Sequence, residues 1–211
     1  MQIITIASGK GGSCKTTTAL SVAAFLSKKR KTKVLVIDTD PQGSLSWISD
    51  RASPGFDVAH ETDHNVISKL RKIGGYDYIL CDTPPGLDNE TLTITLKLSD
   101  FAILPSPPSP LDIRELTRTI GQVVVPSETA YRVLLSRVDS RRINEALDMQ
   151  SQLMDEDIPV FNAVVRYLVA HERAILDGKL ITEYKGSGGK EAANDYRKVV
   201  DELVRELKGQ K

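Results

Sequence analysis

The segment Gly9-Lys10-Gly11-Gly12-Ser13-Cys14-Lys15-Thr16-Thr17-Thr18 lies between a short apolar run, residues 3–7, and a longer amphipathic run, residues 16–29. A glycine-rich loop that follows a strand and begins a helix is a setting in which proteins bind phosphate groups. The glycines allow backbone N–H groups to surround anionic oxygens, and the helix N-terminus contributes the positive end of its dipole. The sequence therefore predicts a phosphate loop (P-loop) at residues 9–17.

Two side chains of this loop have predicted chemical roles. Lys15 is expected to contact the β- and γ-phosphates and the hydroxyl of Thr16 to bind Mg²⁺, so the predicted cofactors are ATP and Mg²⁺. The alternative is a glycine-rich turn capped by a threonine, and the Lys-Thr pair at a strand–helix junction argues against it. The predicted nucleotide-binding residues are Gly11, Gly12, Ser13, Cys14, Lys15, Thr16 and Thr17.

Cys14 occupies a position at which phosphate loops usually have glycine. Its Cβ has to fit beside the phosphates, so the loop is expected to be slightly adjusted there. Because Cys14 lies at a helix N-terminus and next to Lys15, we also predict that its thiolate is stabilised. Cys81 belongs to the apolar run 78–81 and is instead expected to be a buried, slowly reacting thiol.

The rest of the chain alternates short runs of Val, Ile and Leu with longer amphipathic segments. The short runs lack polar alternation, which is typical of strands buried on both faces of a parallel sheet. We therefore predict an α/β fold with helices on both faces of a doubly wound, mostly parallel sheet, and residues 1–211 as a single P-loop ATPase domain. The predicted strands are residues 3–7, 33–38, 76–82, 101–105, 131–138 and 160–165. The predicted helices are residues 16–29, 65–72, 89–98, 112–123, 141–155, 169–177 and 189–207.

Composition restricts the class of partner. Basic and acidic residues number 28 each, so the formal net charge is zero and any DNA contact depends on a local basic patch. Aromatic residues make up only 5%, which argues against a stacking platform for single-stranded nucleic acid. The N-terminus leads directly into a predicted strand, and no apolar run approaches the roughly 18–20 residues of a membrane span. A cytoplasmic protein is therefore expected.

Two further loops place carboxylates where predicted strands end. Asp38-Thr39-Asp40-Pro41-Gln42-Gly43 follows the run 34–37, and Asp82-Thr83-Pro84-Pro85-Gly86 follows the run 78–81. Open α/β sheets bind ligands at the carboxyl ends of their strands, where such an aspartate suits a metal-bound water. Each loop alone is also explained by the tendency of aspartate to begin turns and cap helices. The three loops together form a stronger prediction of a Mg-nucleotide site.

These residues resemble the ParA/MinD superfamily of deviant Walker ATPases. The match consists of Lys10-Gly11-Gly12-x-x-Lys15-Thr16-Thr17, then Asp38-x-Asp40-Pro41-Gln42, and then Asp82-x-Pro84-Pro85. It continues through Pro107-Pro108-Ser109-Pro110-Leu111-Asp112 and Ala192-Ala193-x-x-Tyr196, and so covers nearly the whole chain. The Asp-Pro-Gln form resembles the ParA branch, and the early P-loop resembles small ParA proteins that lack an N-terminal DNA-reading domain.

The resemblance implies a role for each matched residue. Lys10 would be the signature lysine that reaches the partner's phosphates in an ATP sandwich dimer, and Lys15 would be the P-loop lysine. Asp40 would orient the attacking water, so the predicted catalytic residues are Lys10, Lys15 and Asp40. Asp82 would hold Mg²⁺ through water with support from Asp38. The predicted metal residues are therefore Thr16, Asp38 and Asp82.

The resemblance also implies a function. It indicates a slow ATPase that forms an ATP-dependent homodimer, binds DNA without sequence preference and is stimulated by a small DNA-binding or cargo adaptor protein of the ParB kind. Such a protein segregates or positions a plasmid, a chromosome or another cargo, is nucleoid-associated and has no membrane partner. Two alternatives remain open, a MinD-like membrane-surface ATPase and a metabolic P-loop ligase of the dethiobiotin synthetase kind.

The resemblance places DNA contacts in the C-terminal half without naming their residues. Each cation there is also explained as a solvated surface charge. The candidates are Arg132, Arg137, Arg141, Arg142, Arg166, Arg173, Lys179 and Lys190. The last predicted helix carries an apolar stripe, which we predict to pack on the sheet and not on a membrane. Its residues are Val199, Val200, Leu203, Val204 and Leu207.

Overall fold

A computed structural model describes residues 1–86 and 90–209, and these residues form a parallel sheet of six strands. The strands are β1 (Gln2–Ile6), β2 (Val34–Asp38), β3 (Asp57–His60), β4 (Tyr78–Asp82), β5 (Phe101–Ser106) and β6 (Tyr131–Leu135). Their order across the sheet is β3-β2-β4-β1-β5-β6, and each neighbouring pair is parallel. The α-helices of the described residues are α1 (Lys15–Ser27), α2 (Ser44–Ala52), α3 (His64–Ile67), α4 (Glu90–Leu98), α5 (Pro110–Thr119), α6 (Ile143–Asp155), α7 (Ala170–Leu176) and α8 (Gly189–Gly209).

Strand β1 lies inside the sheet, between β4 and β5. The loop after β1 therefore lies at the switch point where open α/β sheets bind ligands. Ile4 and Ile6 of β1 pack in the apolar cluster that contains α1 and α8. Ile3 packs with Leu35 and Ile79 in a cluster on the opposite face. Both faces of the sheet are covered, which confirms the predicted doubly wound fold.

The apolar stripe of α8 packs against α1. Val199, Val200 and Leu203 are buried in one apolar cluster with residues of α1 and of the sheet, so the stripe is buried, but its main neighbour is α1 and not the sheet as predicted. The hydroxyl groups of Thr18 and Tyr196 also join the two helices through a hydrogen bond of 3.0 Å. In the part of the chain that the structure describes, no helix is both long and apolar enough to cross a membrane.

The predicted strand at residues 160–165 is wrong. The segment lies beside β6, and the N–H groups of Phe161 and Val165 donate to carbonyl oxygens of β6 at 2.9 Å each, but within the described residues only isolated bridges form and not a strand. The reason is a carboxylate of α8. Glu202 accepts hydrogen bonds from the backbone N–H groups of Asn162, at 2.8 Å, and of Ala163, at 2.7 Å. These two donors turn toward α8, so no continuous ladder forms along this segment.

Neither β3 nor α2 is predicted from the sequence. All four residues of β3 are exposed or half-buried because the strand lies at the edge of the sheet, so no apolar run marks it. Helix α2 has nine residues, of which only Leu45, Ser49 and Ala52 are buried. Two of these three residues are small, so the apolar period that identifies a helix is weak there.

The remaining element boundaries differ from the predictions by a few residues. The predicted helix 65–72 divides into α3 and a 3-10 turn, Leu70–Lys72. Helix α5 begins earlier than predicted, at Pro110, because Ser109 caps its N-terminus and proline suits the first helical position. The predicted helix 89–98 corresponds to α4, and its expected first residue, Asn89, lies outside the described residues.

Candidate nucleotide-binding site

The loop between β1 and α1 is held by hydrogen bonds from serine hydroxyls. Ser13 Oγ donates to the carbonyl oxygen of Lys10 at 3.2 Å, and Ser136 Oγ donates to the carbonyl oxygen of Ser13 at 3.2 Å. Gly12 and Cys14 have φ angles of 76° and 72°, both in the left-handed region. Alternation of this kind builds the N–H concavities in which proteins bind anions. The predicted phosphate loop therefore has the backbone of an anion site.

The predicted loop residues differ in their exposure. Gly11 and Gly12 are exposed at the turn, whereas Ser13 and Lys15 are buried. Lys15 Nζ donates to the carbonyl oxygen of Lys10 at 3.2 Å, so the ammonium lies over the loop backbone. Burial lowers the pKa of Lys15, while the nearby charges of Asp82 and Asp40 raise it. The Lys15 ammonium thus contacts the loop backbone and interacts with the charges of Asp82 and Asp40.

Thr17 is in the first turn of α1. It is half-buried and lines an apolar pocket together with Ile48 and His171. Its predicted contact with nucleotide stays a prediction.

Cys14 adopts a conformation that favours glycine. It is the N-cap of α1, with φ 72° and ψ 26°, and it is half-buried. Burial raises the pKa of the Cys14 thiol by more than the charge of Arg137 and the hydrogen bond with Ser136 lower it. The predicted stabilised thiolate is therefore wrong, because burial disfavours the charged form of Cys14.

Thr16 and Asp82 meet across the loops that follow β1 and β4. Thr16 Oγ1 donates to Oδ2 of Asp82 at 2.7 Å. Asp82 is 2% exposed, and within the described residues its Oδ1 atom has no hydrogen-bond partner. Burial raises the pKa of Asp82 to about 7; the charges of Asp38 and Asp40 act in the same direction, against the hydrogen bond from Thr16 and the charge of Lys15.

The residues at this point fit a Mg²⁺ ion. An unpartnered carboxylate oxygen beside a threonine hydroxyl offers the hard oxygen ligands that Mg²⁺ prefers. Within residues 1–86 and 90–209, no group of three or more His, Cys, Asp or Glu side chains is placed to hold a metal. Thr16 and Asp82 would therefore share the ion with phosphate oxygens and water, which is the usual arrangement for Mg-nucleotides.

Asp38 is buried and directed at the start of α2. Its Oδ2 atom accepts hydrogen bonds from the backbone N–H of Ser46 at 3.0 Å and from the Ser46 hydroxyl at 3.1 Å. Its Oδ1 atom accepts a bond of 3.2 Å from the N–H of Asp40. These contacts hold the loop that carries Asp40, and the predicted support of Asp38 for a metal stays a prediction.

The loops after β2 and β4 are joined by Thr39, which the sequence analysis does not single out. Its backbone N–H and its hydroxyl both donate to the carbonyl oxygen of Asp82, at 2.9 Å and 2.8 Å. The backbone of one carboxylate-bearing loop is therefore fixed to the other. This accounts for the proximity of the predicted aspartates better than strand ends alone.

Asp40 is half-buried in a tight turn. Its Oδ1 atom accepts a bond of 2.9 Å from the N–H of Gln42, and its carbonyl oxygen accepts one of 2.9 Å from the N–H of Gly43. The same carbonyl oxygen lies 3.0 Å from Nε2 of His60, at the end of β3. His60 carries no sequence signal, because it belongs to the exposed edge strand that the sequence does not predict.

Lys10, the third predicted catalytic residue, contacts helix α5. Its ammonium forms an ion pair with Asp112, and its side chain is 53% exposed. Arg137, counted above among possible DNA contacts, instead touches the loop. Its Nη1 atom donates to the carbonyl oxygen of Gly12 at 3.1 Å, and its guanidinium lies 5.2 Å from the ring centroid of Tyr167.

Most other candidate DNA-contacting cations are also engaged within the chain. The ion pairs are Arg132 with Glu206, Arg141 with Asp139, Arg142 with Glu145, Arg166 with Asp195 and Lys179 with Asp177. The strongest geometry is that of Arg166, whose Nε and Nη2 atoms each lie 2.9 Å from the buried carboxylate of Asp195. Arg173 and Lys190 are exposed, and the described residues contain no ion-pair partner for either.

Comparison with known proteins identifies the family. The family model described as the CobQ/CobB/MinD/ParA nucleotide binding domain matches residues 4–181 of the chain. Maintenance of carboxysome distribution protein A of Gloeobacter kilaueensis is 44% identical over 207 residues, which cover 97% of this chain and 95% of that protein.

Two solved structures show the same fold at low sequence identity. The ATP complex of a McdA variant from Cyanothece has a TM-score of 0.76 and 19% identity, over 97% of this chain and 96% of the other. MinD of Pyrococcus horikoshii, complexed with Mg-ADP, has a TM-score of 0.73 and 22% identity, over 96% and 95%. The predicted superfamily and the cofactors ATP and Mg²⁺ are confirmed. The chain belongs to the CobQ/CobB/MinD/ParA nucleotide-binding family, as a ParA/MinD-type ATPase.

Proposed function

We propose that this protein is an ATP-driven switch that positions carboxysomes. The observation that carries the proposal is its 44% identity, over 97% of the chain, with Maintenance of carboxysome distribution protein A of G. kilaueensis. The sequence motifs alone do not distinguish a plasmid, a chromosome and another assembly as the cargo. Similarity that extends over nearly the full length of both chains favours the carboxysome among them.

The contacts of Asp40 support ATP hydrolysis. Bound Mg²⁺ would offset the phosphate charge that develops during phosphoryl transfer. Asp40 accepts a hydrogen bond of 2.9 Å from the N–H of Gln42 through Oδ1, so the turn fixes the direction of the carboxylate and leaves Oδ2 to orient a water molecule. Because the turn sets this direction, an adaptor protein that binds there can adjust the carboxylate and accelerate hydrolysis. Stimulation by such a partner is therefore part of the proposal.

The position of Lys10 supports an ATP-dependent homodimer. Lys15 lies against its own loop, whereas the Lys10 side chain is 53% exposed and makes its ion pair at the protein surface. A lysine whose backbone belongs to the loop but whose side chain is exposed is suited to a triphosphate in a second copy of the chain. We propose that Lys10 makes this contact, so that hydrolysis depends on dimerisation.

Non-specific DNA binding is proposed for a groove between α8 and the loop before it. Lys185, Lys190 and Arg197 line this groove and are exposed, and Glu191 also lines it. Arg197 donates to the neutral amide oxygen of Asn194 at 2.6 Å, so its charge stays uncompensated by that contact. Two such grooves in a dimer form the local basic patch that a neutral chain needs. Nucleoid association would follow from this patch.

The two alternative functions have less support. A MinD-like membrane contact needs an exposed apolar helix face, but the stripe of α8 is buried against α1. A metabolic ligase is an alternative at the family level, because the matching family model also includes CobQ and CobB. ATP consumption that depends on a small acid or amine substrate would identify a ligase.

The experiment is complementation in a carboxysome-containing host that lacks its own distribution ATPase. The protein is expressed together with the genes that neighbour its own, as possible sources of an adaptor. Wild-type protein should restore evenly spaced carboxysomes, and Lys15→Ala should leave them clustered. Clustered carboxysomes in cells that contain folded, ATP-hydrolysing wild-type protein would exclude this cargo.

A further inference from the structure

Asp112 is a fixed carboxylate at the N-terminus of α5. The hydroxyl of Ser109, the N-cap of α5, donates to Oδ2 of Asp112 and accepts a bond of 3.3 Å from its N–H. The Asp112 side chain is only 10% exposed. Partial burial raises the pKa of Asp112, but the hydrogen bonds from Lys10 and Ser109 outweigh it and leave the pKa below its usual value. The helix N-terminus favours the same charged state.

Lys10 has an anchored backbone and a largely exposed side chain. Its carbonyl oxygen accepts bonds of 3.2 Å from Ser13 Oγ and 3.2 Å from Lys15 Nζ, which anchor its main chain in the P-loop. Its side chain is 53% exposed and bonds only the free Oδ1 atom of Asp112 within the described residues. Residues 10 and 112 are far apart in the sequence. Their ion pair places the Lys10 ammonium against the N-terminus of α5.

An exposed leucine lies next to this ion pair on α5. Leu111 precedes Asp112 in α5 and is 74% exposed. A second copy of the chain, placed so that Lys10 reaches its nucleotide, would approach at this surface. The ion pair and the exposed leucine therefore belong to the same region of the proposed dimer contact.

We propose that Asp112 holds Lys10 within its own subunit and that this ion pair has to open before Lys10 can contact ATP in a second copy of the chain. The inference rests on the dimer described under the proposed function. The triphosphate of ATP carries more negative charge than one carboxylate and competes for the ammonium, whereas ADP competes less well. Asp112 is thus a positioning residue that sets the ATP dependence of dimerisation.

Opening two such pairs opposes dimer formation, so Asp112→Asn should strengthen the dimer. Exposed ion pairs are weak, and loss of one per subunit predicts a dimer dissociation constant lower by roughly 2- to 30-fold. Asparagine keeps an oxygen that can accept from Ser109, so α5 should stay capped. The matched control is Glu145→Gln, which also removes one charge from an exposed first-turn ion pair, with Arg142, but does not touch Lys10.

The measurement is sedimentation velocity with Mg²⁺ and a non-hydrolysable ATP analogue over a range of protein concentrations. We expect Asp112→Asn to dimerise at lower concentration than wild type, and Glu145→Gln to match wild type. In a Lys10→Ala background, Asp112→Asn should have no further effect. An unchanged Asp112→Asn dimer would overturn the inference. A weaker dimer would also overturn it, because Asp112 would then support the contact of Lys10 in the dimer.

A second measurement needs no dimer. Acylation of lysines in the nucleotide-free protein, mapped by mass spectrometry, should label Lys10 several-fold faster in Asp112→Asn than in wild type. Equal labelling would show that the pair does not hold the lysine and would also overturn the inference. If wild type stays monomeric with the ATP analogue, the proposed dimer fails and the regulatory role of Asp112 fails with it. If wild type dimerises and only the variant effects are missing, the failure is limited to Asp112.

Discussion

The hydroxyl of Thr16 lies 2.7 Å from Oδ2 of Asp82 and donates a hydrogen bond to it, although the two residues are 66 positions apart. The second carboxylate oxygen of Asp82 has no hydrogen-bond partner in the described residues. A buried carboxylate of this kind is costly to keep charged unless a cation joins it. The Thr16–Asp82 pair is therefore a candidate metal site that lowers the stability of the folded protein when no cation is bound.

Asp82→Asn should stabilise the protein in the absence of nucleotide and Mg²⁺, but only at high pH. The pKa of Asp82 is raised to about 7, above its ordinary value of 3.8, so the folded protein binds the extra proton between these values. Stability is therefore lost as the pH rises from about 4 to about 7, and the asparagine variant avoids this loss. The expected gain is roughly 1–4 kcal/mol at pH 8 and close to zero near pH 4.

Thermal unfolding at pH 4.5 and pH 8 in the presence of EDTA measures this difference, with Asp50→Asn, an exposed acid of α2, as the control. The same variant should lose Mg-dependent ATP binding. A lower melting temperature than wild type at pH 8 would contradict the prediction.

Asp40→Ala should trap the ATP-bound dimer. The substitution removes the carboxylate proposed to orient water and leaves Lys15, Thr16 and Asp82 to hold the nucleotide. Hydrolysis should fall by roughly 10²-fold or more, with ATP affinity little changed. Single-turnover hydrolysis and sedimentation with ATP check both parts, and hydrolysis at the wild-type rate would show that Asp40 has another role.

Lys10→Ala should bind ATP normally and lose adaptor-stimulated hydrolysis. The ammonium is proposed to offset charge on a phosphate of the other subunit, and contributions of this type reach about 10³-fold. Lys97→Ala, at an exposed position of α4, is the control. Stimulated rates that are equal in Lys10→Ala and Lys97→Ala would remove the proposed role across the subunit boundary.

Cys14 should be alkylated slowly at neutral pH, faster at alkaline pH, and more slowly when Mg-ATP is bound. Its pKa is raised mainly by burial, so the reactive thiolate forms only as the pH increases. Cys81 is the internal control, because it is fully buried and its pKa is raised to about 12. Mass spectrometry after alkylation at pH 7 and pH 9 tests this. Labelling of Cys14 at one rate with and without Mg-ATP would place it outside the nucleotide site.

DNA binding should require ATP and depend on the groove beside α8. Lys190→Ala should weaken binding of duplex DNA of any sequence and reduce the slope of log affinity against log salt by about 1 per lost phosphate contact. Arg142→Ala is the control, since this exposed arginine is already paired with Glu145. Fluorescence anisotropy at several salt concentrations measures both variants. Equal DNA affinity in the nucleotide-free and ATP states would remove the switch from the proposal.

The three loops of the site could be predicted because their signals are local. Glycines around Lys10 and aspartates directly after apolar runs predict the same loops regardless of the residues elsewhere in the chain. Parallel strands then bring their carboxyl ends to one edge of the sheet, which places Asp38 and Asp82 near Thr16. The general position of the site follows from these two facts alone.

The contacts that adjust the site could not be predicted in the same way. His60 reaches the carbonyl oxygen of Asp40 from an exposed edge strand, and Arg137 reaches Gly12 from beyond β6. Neither residue belongs to a local pattern, and each is found only when distant segments are packed together. The raised pKa of Cys14 could not be predicted from the sequence either, because the extent of its burial depends on the tertiary structure and not on its neighbours in sequence.

The hydrogen bonds that Glu202 accepts from the N–H groups of Asn162 and Ala163 also bear on how the sheet can pair with other molecules. Unpaired N–H groups along the border of a sheet can recruit a strand from another molecule, which is a common route to fibrils. Glu202 occupies two such donors beside β6, at 2.8 Å and 2.7 Å. The opposite border is β3, which has only four residues. We therefore expect both borders of the sheet to pair poorly with strands of other molecules.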